Sequence, residues 1–148
     1  TLDALREIPR LERFIEEVLR LHPPLVLLMR RVIEDINYKG TLIEAGKTVA
    51  ISTFGSHRNT DYFPDPERFD YHRPKPDTLW AYIPFGGGPH KCAGNAFAMM
   101  QLKSIFAALL PRYDFELVDP DDTYQDDLSA MVLNPSSPCR LRYQRRSS

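Results

Sequence analysis

The 148-residue sequence contains little of what several common classes of protein require. Its two cysteines, Cys92 and Cys139, are too few for a disulfide scaffold or a four-cysteine zinc site. A net charge of -1 gives no electrostatic reason to expect nucleic acid as a partner. No apolar run has the length of a membrane span, and no signal peptide is visible. These absences leave an ordinary globular protein, which we expect to be soluble and cytoplasmic.

Glycine is scarce, and four of the seven glycines lie around one cysteine. The segment Phe85-Gly86-Gly87-Gly88-Pro89-His90-Lys91-Cys92-Ala93-Gly94 precedes an apolar stretch that predicts a helix over residues 93–110. The positive end of a helix favours a thiolate, which can act as a nucleophile, a redox thiol or a metal ligand. Because glycines remove side-chain bulk beside the sulfur, a flat partner such as a haem can approach the backbone there.

Two further motifs carry charge. Apolar residues at helical spacing predict an amphipathic helix over residues 9–21, and His22-Pro23-Pro24 ends it. Within this helix Glu17 and Arg20 are three residues apart, so they lie side by side on neighbouring turns. Taken alone, such a pair is typical of an exposed helix surface and contributes little. The second motif, Pro66-Glu67-Arg68-Phe69, lies in a proline-rich stretch that predicts irregular structure.

The remaining sequence predicts short strands. Apolar and β-branched runs separated by glycine-containing turns predict strands over 32–38, 41–43 and 48–52, followed by a short helix over 54–58. Three more strands are predicted near the end of the chain, over 113–118, 129–133 and 139–143. The expected fold class is therefore mainly α with small antiparallel β-sheets.

The order and spacing of the three motifs are more specific than any one of them. Glu17-x-x-Arg20, Pro66-Glu67-Arg68-Phe69 and Phe85-x-x-Gly88-x-x-x-Cys92-x-Gly94 together closely resemble the C-terminal third of a cytochrome P450. Leu21-His22-Pro23-Pro24-Leu25 and Leu28-Met29-Arg30 look most like the bacterial sterol 14α-demethylase branch. The resemblance implies that residues 1–148 are the C-terminal portion of a single cytochrome P450 domain whose N-terminal part is missing.

The resemblance also implies a cofactor, haem b (iron protoporphyrin IX), with Cys92 as the axial thiolate ligand of the iron. His90 and Arg30 match positions that contact the haem propionates, and Arg31 is the alternative to Arg30. The other positions matched to haem contacts are Phe85, Gly86 and Gly94.

Two further sets of residues are matched to roles in the family. Glu17, Arg20 and Arg68 match a buried charge triad, which is expected to pin the first helix to the irregular stretch. Two apolar segments match the substrate wall, and their residues are Leu25, Leu27 and Leu28 in one and Met131, Val132 and Leu133 in the other. Such a lining implies a large lipophilic substrate, for example a sterol.

The activity implied is that of a monooxygenase, which inserts one oxygen atom of O2 into its substrate and takes electrons from a ferredoxin or an NADPH-dependent reductase. The family's oxygen-activation stretch, Ala/Gly-Gly-x-Asp/Glu-Thr, has no match in the sequence. We therefore assign no catalytic residue within this chain and expect the isolated chain to be inactive. One alternative is a non-catalytic haem-thiolate binder or sensor. Another is a redox-active Cys92 paired with Cys139, although nothing in the sequence brings these two together.

Overall fold

The structure, a computed structural model, describes residues 7–120, 123–129 and 132–147. Within these ranges the chain forms three α-helices and four two-stranded antiparallel sheets. This combination agrees with the predicted fold class. None of the helices in the described ranges has both the length and the apolar character needed to cross a membrane.

The first helix, α1, spans Pro9–Leu21, which are the bounds that the sequence predicts. Proline suits the first helical position because its missing N–H has no helical partner there. The helix ends at His22, whose backbone N–H donates to the carbonyl of Val18 at 2.8 Å. The face turned to the interior is partly polar, because Glu17 and Arg20 are buried beside Ile15 and Leu21.

Two small sheets and a short helix follow α1. The strands are β1 (Leu27–Arg31), β2 (Ile36–Tyr38), β3 (Thr41–Ile43) and β4 (Thr48–Ser52), and the helix α2 is Thr53–Ser56. Strand β1 pairs with β4 and β2 pairs with β3, both antiparallel. The predicted strand over 32–38 was wrong in its first half. Val32 still bonds to the residues before β4, since its carbonyl accepts from the Gly46 amide at 2.8 Å, and the chain then bends at residues 33–34 before β2 begins.

The last helix, α3, spans Asn95–Leu109 and follows a long irregular stretch. Its apolar composition predicts burial on nearly all sides, but Lys103 is its only buried residue. The Lys103 ammonium pairs with Glu12 Oε2 of α1 at 2.8 Å. Phe97 is 63% exposed, and Ile105 and Phe106 are exposed as well. The described residues therefore leave most of the apolar surface of α3 uncovered.

The end of the chain forms two further sheets from the strands β5 (Tyr113–Leu117), β6 (Asp126–Asp127), β7 (Asn134–Pro135) and β8 (Leu141–Arg145). Strand β5 pairs with β8 and β6 pairs with β7. The predicted strand over 129–133 is not found in its described part, and the short strand β7 lies directly after it. Val132 forms an isolated antiparallel bridge with Leu25, and the Leu133 amide donates to the Pro24 carbonyl at 2.8 Å. This segment therefore lies against the residues that follow α1.

Candidate functional site

The cysteine lies in a loop of successive tight turns, residues 83–94, which we call the cysteine loop. The Gly86 amide donates to the Ile83 carbonyl at 2.9 Å, and the Cys92 amide donates to the Phe85 carbonyl at 2.9 Å. Gly86 has a φ of 73°, which glycine adopts without strain. The Cys92 thiol is exposed and lies three residues before the first residue of α3. The loop therefore presents one sulfur on a backbone held by its own hydrogen bonds.

The glycines of the cysteine loop allow close approach by neighbouring groups. A Cβ at Gly87 would lie 2.6 Å from an atom of the Trp80 ring, so the indole packs on bare backbone. A Cβ at Gly94 would lie 3.7 Å from the Cys92 Sγ. A Cβ at Gly86 would lie 3.9 Å from the Leu28 Cδ1, so β1 runs beside the loop.

The residues matched to propionate contacts are solvent-exposed. His90 closes a 3₁₀ turn, Gly88–His90, two residues before Cys92. Side chains alternate across a strand, so Arg30 shares a face of β1 with Leu28, whereas Arg31 is on the opposite face. Since Leu28 approaches Gly86, the face that carries Arg30 is the one turned to the cysteine loop.

A buried ion-pair cluster joins α1 to the irregular stretch that precedes the cysteine loop. Arg20 is 1% exposed and binds Glu17 through two hydrogen bonds, Nε to Oε2 at 2.8 Å and Nη2 to Oε1 at 2.9 Å. The Asp70 amide donates to the same Glu17 Oε1 at 3.0 Å. Such a bidentate ion pair offsets the desolvation free energy of burying both charges. The helical pair that looked unremarkable from its spacing is therefore a buried anchor.

The third member of this cluster differs from the prediction. The Arg68 side chain is exposed, and this residue contributes its backbone carbonyl, which accepts from Arg73 Nη2 at 3.0 Å. Arg73 Nε reaches Glu17 Oε1 at 3.4 Å, and its Nη atoms also donate to the carbonyls of Pro64 and Asp65. The guanidinium of Arg73 therefore occupies the place predicted for that of Arg68, because the proline-fixed turns direct the Arg68 side chain outward.

One residue of this cluster, His57, was not predicted from the sequence, and it is 0% exposed. Its Nδ1 lies 3.1 Å from the Arg20 carbonyl oxygen, and its Nε2 accepts from the Ile83 amide at 2.9 Å. The imidazole stacks on the Tyr82 ring at 5.3 Å between centroids. A single histidine that follows a short helix has no spacing pattern that indicates burial, so only the path of the chain reveals it.

Within and beside this cluster, the environment shifts the pKa of His57, Glu17 and Tyr82. Burial lowers the pKa of His57 to about 4, and the charges of Arg20 and Arg58 act in the same direction. Burial opposes ionisation of Glu17, but hydrogen bonds and the charges of Arg20 and Arg73 outweigh it and lower its pKa. Burial raises the pKa of Tyr82. At neutral pH the cluster therefore contains an ionised glutamate and a neutral imidazole.

The two segments matched to the substrate wall meet through the bridge between Leu25 and Val132. Leu25, Leu27 and Val132 are exposed, Leu28 is partly exposed and Leu133 is buried. Met131 lies outside the described residues. Leu133 therefore packs in the core, whereas the other described positions leave apolar surface open to solvent, and among them Leu28 lies beside Gly86 of the cysteine loop.

The two thiols, Cys92 and Cys139, are both free and exposed. A single exposed thiol beside uncrowded backbone suits a metal that a macrocycle already chelates, as in haem, because only an axial ligand is then needed. The residues present therefore fit a haem on the exposed side of Cys92.

Comparison with known proteins identifies the family. The family model "Cytochrome P450" matches residues 1–143. A sterol 14alpha-demethylase of Mycolicibacterium vanbaalenii is 45% identical over an alignment of 149 positions, which covers 97% of this chain and 33% of that protein. The human lanosterol 14-alpha demethylase is 34% identical over an alignment of 155 positions, which covers 99% of this chain and 30% of that protein.

A solved structure agrees with these relatives. The structure of retinoic acid bound cyanobacterial CYP120A1 matches with a TM-score of 0.88 and 30% identity, over 99% of this chain and 34% of that one. The chain thus spans about a third of the length of the relatives it matches. The fold expected from the three motifs is confirmed by this match, and the chain belongs to the cytochrome P450 family, where it resembles the sterol 14α-demethylases.

Proposed function

We propose that this chain is the C-terminal haem-thiolate part of a cytochrome P450 monooxygenase. The observation that carries the proposal is the exposed thiol of Cys92 on a hydrogen-bonded glycine loop, within a chain of this family. Because the chain spans about a third of its relatives, the proposed activity is that of the full-length protein. A cytoplasmic location stays a prediction.

Cys92 is the residue we propose to bind the haem iron, as a thiolate. His90 and Arg30 would hold the propionates, since cationic and donor groups compensate for the desolvation of carboxylates. Phe85 would exclude water from the sulfur. Gly86 and Gly94 would leave room for the macrocycle because a glycine adds no side chain beside it.

The haem, when bound, supplies the chemistry by which one oxygen atom of O2 enters the substrate. The chain's own residues contribute in three ways. Cys92, as a thiolate, would bind the haem iron and supply the electron density that favours O–O cleavage in haem-thiolate proteins. The buried cluster, which His57 connects to the loop, would keep the sulfur in place. The apolar segments that meet at Leu25 and Val132 would line the site of a lipophilic substrate.

A sterol is the substrate we propose, because the relatives named above are sterol and lanosterol 14-demethylases and the described wall is apolar. The electron donor we propose is a ferredoxin or an NADPH-dependent reductase, as the family resemblance implies. The alternative, a non-catalytic haem-thiolate binder, shares the same iron ligand and differs only in turnover.

The test is the spectrum of the carbon monoxide complex of the reduced, haem-loaded, full-length protein. Thiolate ligation predicts a strongly red-shifted Soret band, which Cys92→Ser abolishes because a hydroxyl is not a thiolate. Cys139→Ser is the matched control and should keep the band. An unshifted band in the unsubstituted protein would rule out Cys92 as the iron ligand.

The substrate proposal has a separate test. Sterols titrated into the oxidised full-length protein should change the Soret band with saturation, since a bound substrate alters the surroundings of the iron. Sterols that bind without oxygenated product in the presence of an electron donor would favour the non-catalytic binder. No spectral change with any sterol would remove the sterol proposal and leave haem ligation untouched.

A further inference from the structure

We propose that His57 is a positioning residue, which seats the cysteine loop by linking the Arg20 carbonyl at the end of α1 to the Ile83 amide at the start of the loop. The inference rests on the proposed function, because the position of the cysteine-loop backbone determines where Cys92 would meet the haem. His57 touches none of the residues matched to haem contacts, and so it would act only through the backbone.

Every polar group of His57 has a partner inside the protein. The ring donates from Nδ1 to Arg20 and accepts at Nε2 from Ile83, which defines the tautomer with its proton on Nδ1. The backbone carbonyl of His57 accepts from Arg20 Nη1 at 2.9 Å, and its amide donates to Thr53 at 2.9 Å. A buried ring with hydrogen bonds on both nitrogens has a single orientation available. It therefore fixes the Ile83 amide relative to the Arg20 carbonyl.

The protonation state suits this role. An imidazole can accept at Nε2 only when it is neutral, and burial together with two nearby guanidinium groups keeps His57 neutral at neutral pH. Tyr82 stacks on one face of the ring and itself donates to the Glu16 carbonyl at 3.0 Å. The ring is thus held between α1 and the residue next to Ile83.

A short series of backbone contacts connects His57 to the sulfur. His57 holds the Ile83 amide, and the Ile83 carbonyl accepts from the Gly86 amide. Phe85, which lies inside this turn, presents the carbonyl that accepts from the Cys92 amide. If Ile83 loses its partner, the turn that contains Phe85 is free to shift, and the Cys92 backbone shifts with it.

Two substitutions separate the two bonds of His57. His57→Gln places an amide oxygen near the former Nε2, where it can accept from Ile83, while the contact to Arg20 is lost. His57→Asn places an amide nitrogen near the former Nδ1, where it can donate to Arg20, while the Ile83 amide is left unpaired. The two variants therefore distinguish a role of His57 in positioning the loop, which needs the bond to Ile83, from a role in filling the core, which both side chains could meet.

The experiment measures the carbon monoxide spectrum of the reduced, haem-loaded, full-length protein, together with hydrogen exchange of its backbone amides. We expect His57→Asn to shift the equilibrium from the red-shifted to the unshifted form by about fivefold, the effect of losing one ordinary hydrogen bond. Exchange at Ile83 and Cys92 should accelerate in the same variant. His57→Gln should keep most of the red-shifted band and the slow exchange at Ile83.

Equal loss in both variants, or a lowered melting temperature in both with an unchanged band and unchanged exchange, would overturn the positioning role. If neither variant folds, exchange in the unsubstituted protein decides, because Ile83 must then exchange more slowly than Trp80, whose amide has only a 3.4 Å contact with Thr78. Equal rates at Ile83 and Trp80 would also overturn it. Absence of the red-shifted band in the unsubstituted protein would instead refute the proposed iron ligand.

Discussion

Arg20 and His57 hold each other through two hydrogen bonds that run in opposite directions. The Arg20 guanidinium donates to the His57 carbonyl at 2.9 Å, and the His57 ring donates to the Arg20 carbonyl at 3.1 Å. The two residues are 37 positions apart in the chain. Because Arg20 also binds Glu17, this exchange joins α1, α2 and the start of the cysteine loop into one anchoring unit.

The first prediction compares two neighbouring arginines. Arg73→Ala should lower the free energy of unfolding by roughly 3 kcal/mol and weaken haem retention, because it removes a buried charge partner of Glu17. Arg68→Ala keeps the carbonyl that the cluster uses and should change stability by no more than about 0.5 kcal/mol. Haem content and chemical unfolding of the full-length variants measure both effects. Haem loss with Arg68→Ala and none with Arg73→Ala would restore the assignment made from the sequence.

The second prediction concerns the loss of folding stability at acidic pH. The pKa of His57 falls from 6.5 to about 4 on folding, so the unfolded chain binds the extra proton first. This contribution leaves stability unchanged above pH 6.5 and reduces it as the pH falls toward 4, by at most about 1.4 kcal/mol per pH unit. The groups that face the ring are Arg20, Arg58 and Tyr82.

Glu17 adds to this acid sensitivity at lower pH. Its pKa is lowered in the folded protein, so the stability that it contributes above its unfolded pKa is lost as the pH falls through the folded value. His57→Gln removes the titrating ring and should move the acid-induced loss of the red-shifted carbon monoxide band to lower pH. An identical midpoint in the variant and the unsubstituted protein would contradict the role given to the imidazole.

The third prediction concerns the contact between Gly87 and Trp80. Gly87→Ala would place a Cβ 2.6 Å from the indole, so the ring or the loop must shift, at a cost of about 1 kcal/mol. The measurements are the melting temperature and the red-shifted fraction of the carbon monoxide complex. Because Trp80 is 65% exposed, its removal in Trp80→Ala/Gly87→Ala should restore most of that fraction. Trp80→Ala alone is the control, and failure of the double variant to recover would show that the clash lies elsewhere.

The fourth prediction concerns the support of the first substrate segment. The buried Thr53 hydroxyl, which has a single hydrogen to donate, lies within hydrogen-bond distance of the carbonyls of Leu25 and Val26. Thr53→Val keeps the shape and removes the donor, which should cost about 1 kcal/mol and weaken sterol binding to the full-length protein. Thr53→Ser keeps the hydroxyl and is the matched control. Equal sterol affinity in the valine and serine variants, measured by spectral titration, would contradict this link.

The local patterns of the sequence predicted the elements that short-range physics controls. The apolar spacing and the His22-Pro23-Pro24 stop predicted both ends of α1, because helical faces and proline termination are local properties. Gly40 and Gly46, both with positive φ, mark the turns on either side of β3, whose bounds were predicted without error. The cysteine motif likewise lies within one continuous segment, and together with the two charged motifs it indicated the family.

The sequence by itself determined the family, since the order and spacing of the motifs around Cys92, Glu17 and Arg20 indicated a cytochrome P450 and the family model matches residues 1–143. Only the tertiary structure decided that Arg73 supplies the second guanidinium to Glu17 and that His57 connects the cluster to the cysteine loop. The physical reason is that hydrogen-bond partners 26 to 56 residues apart are selected by the path of the chain between them. Spacing along a helix or strand carries no information about that path.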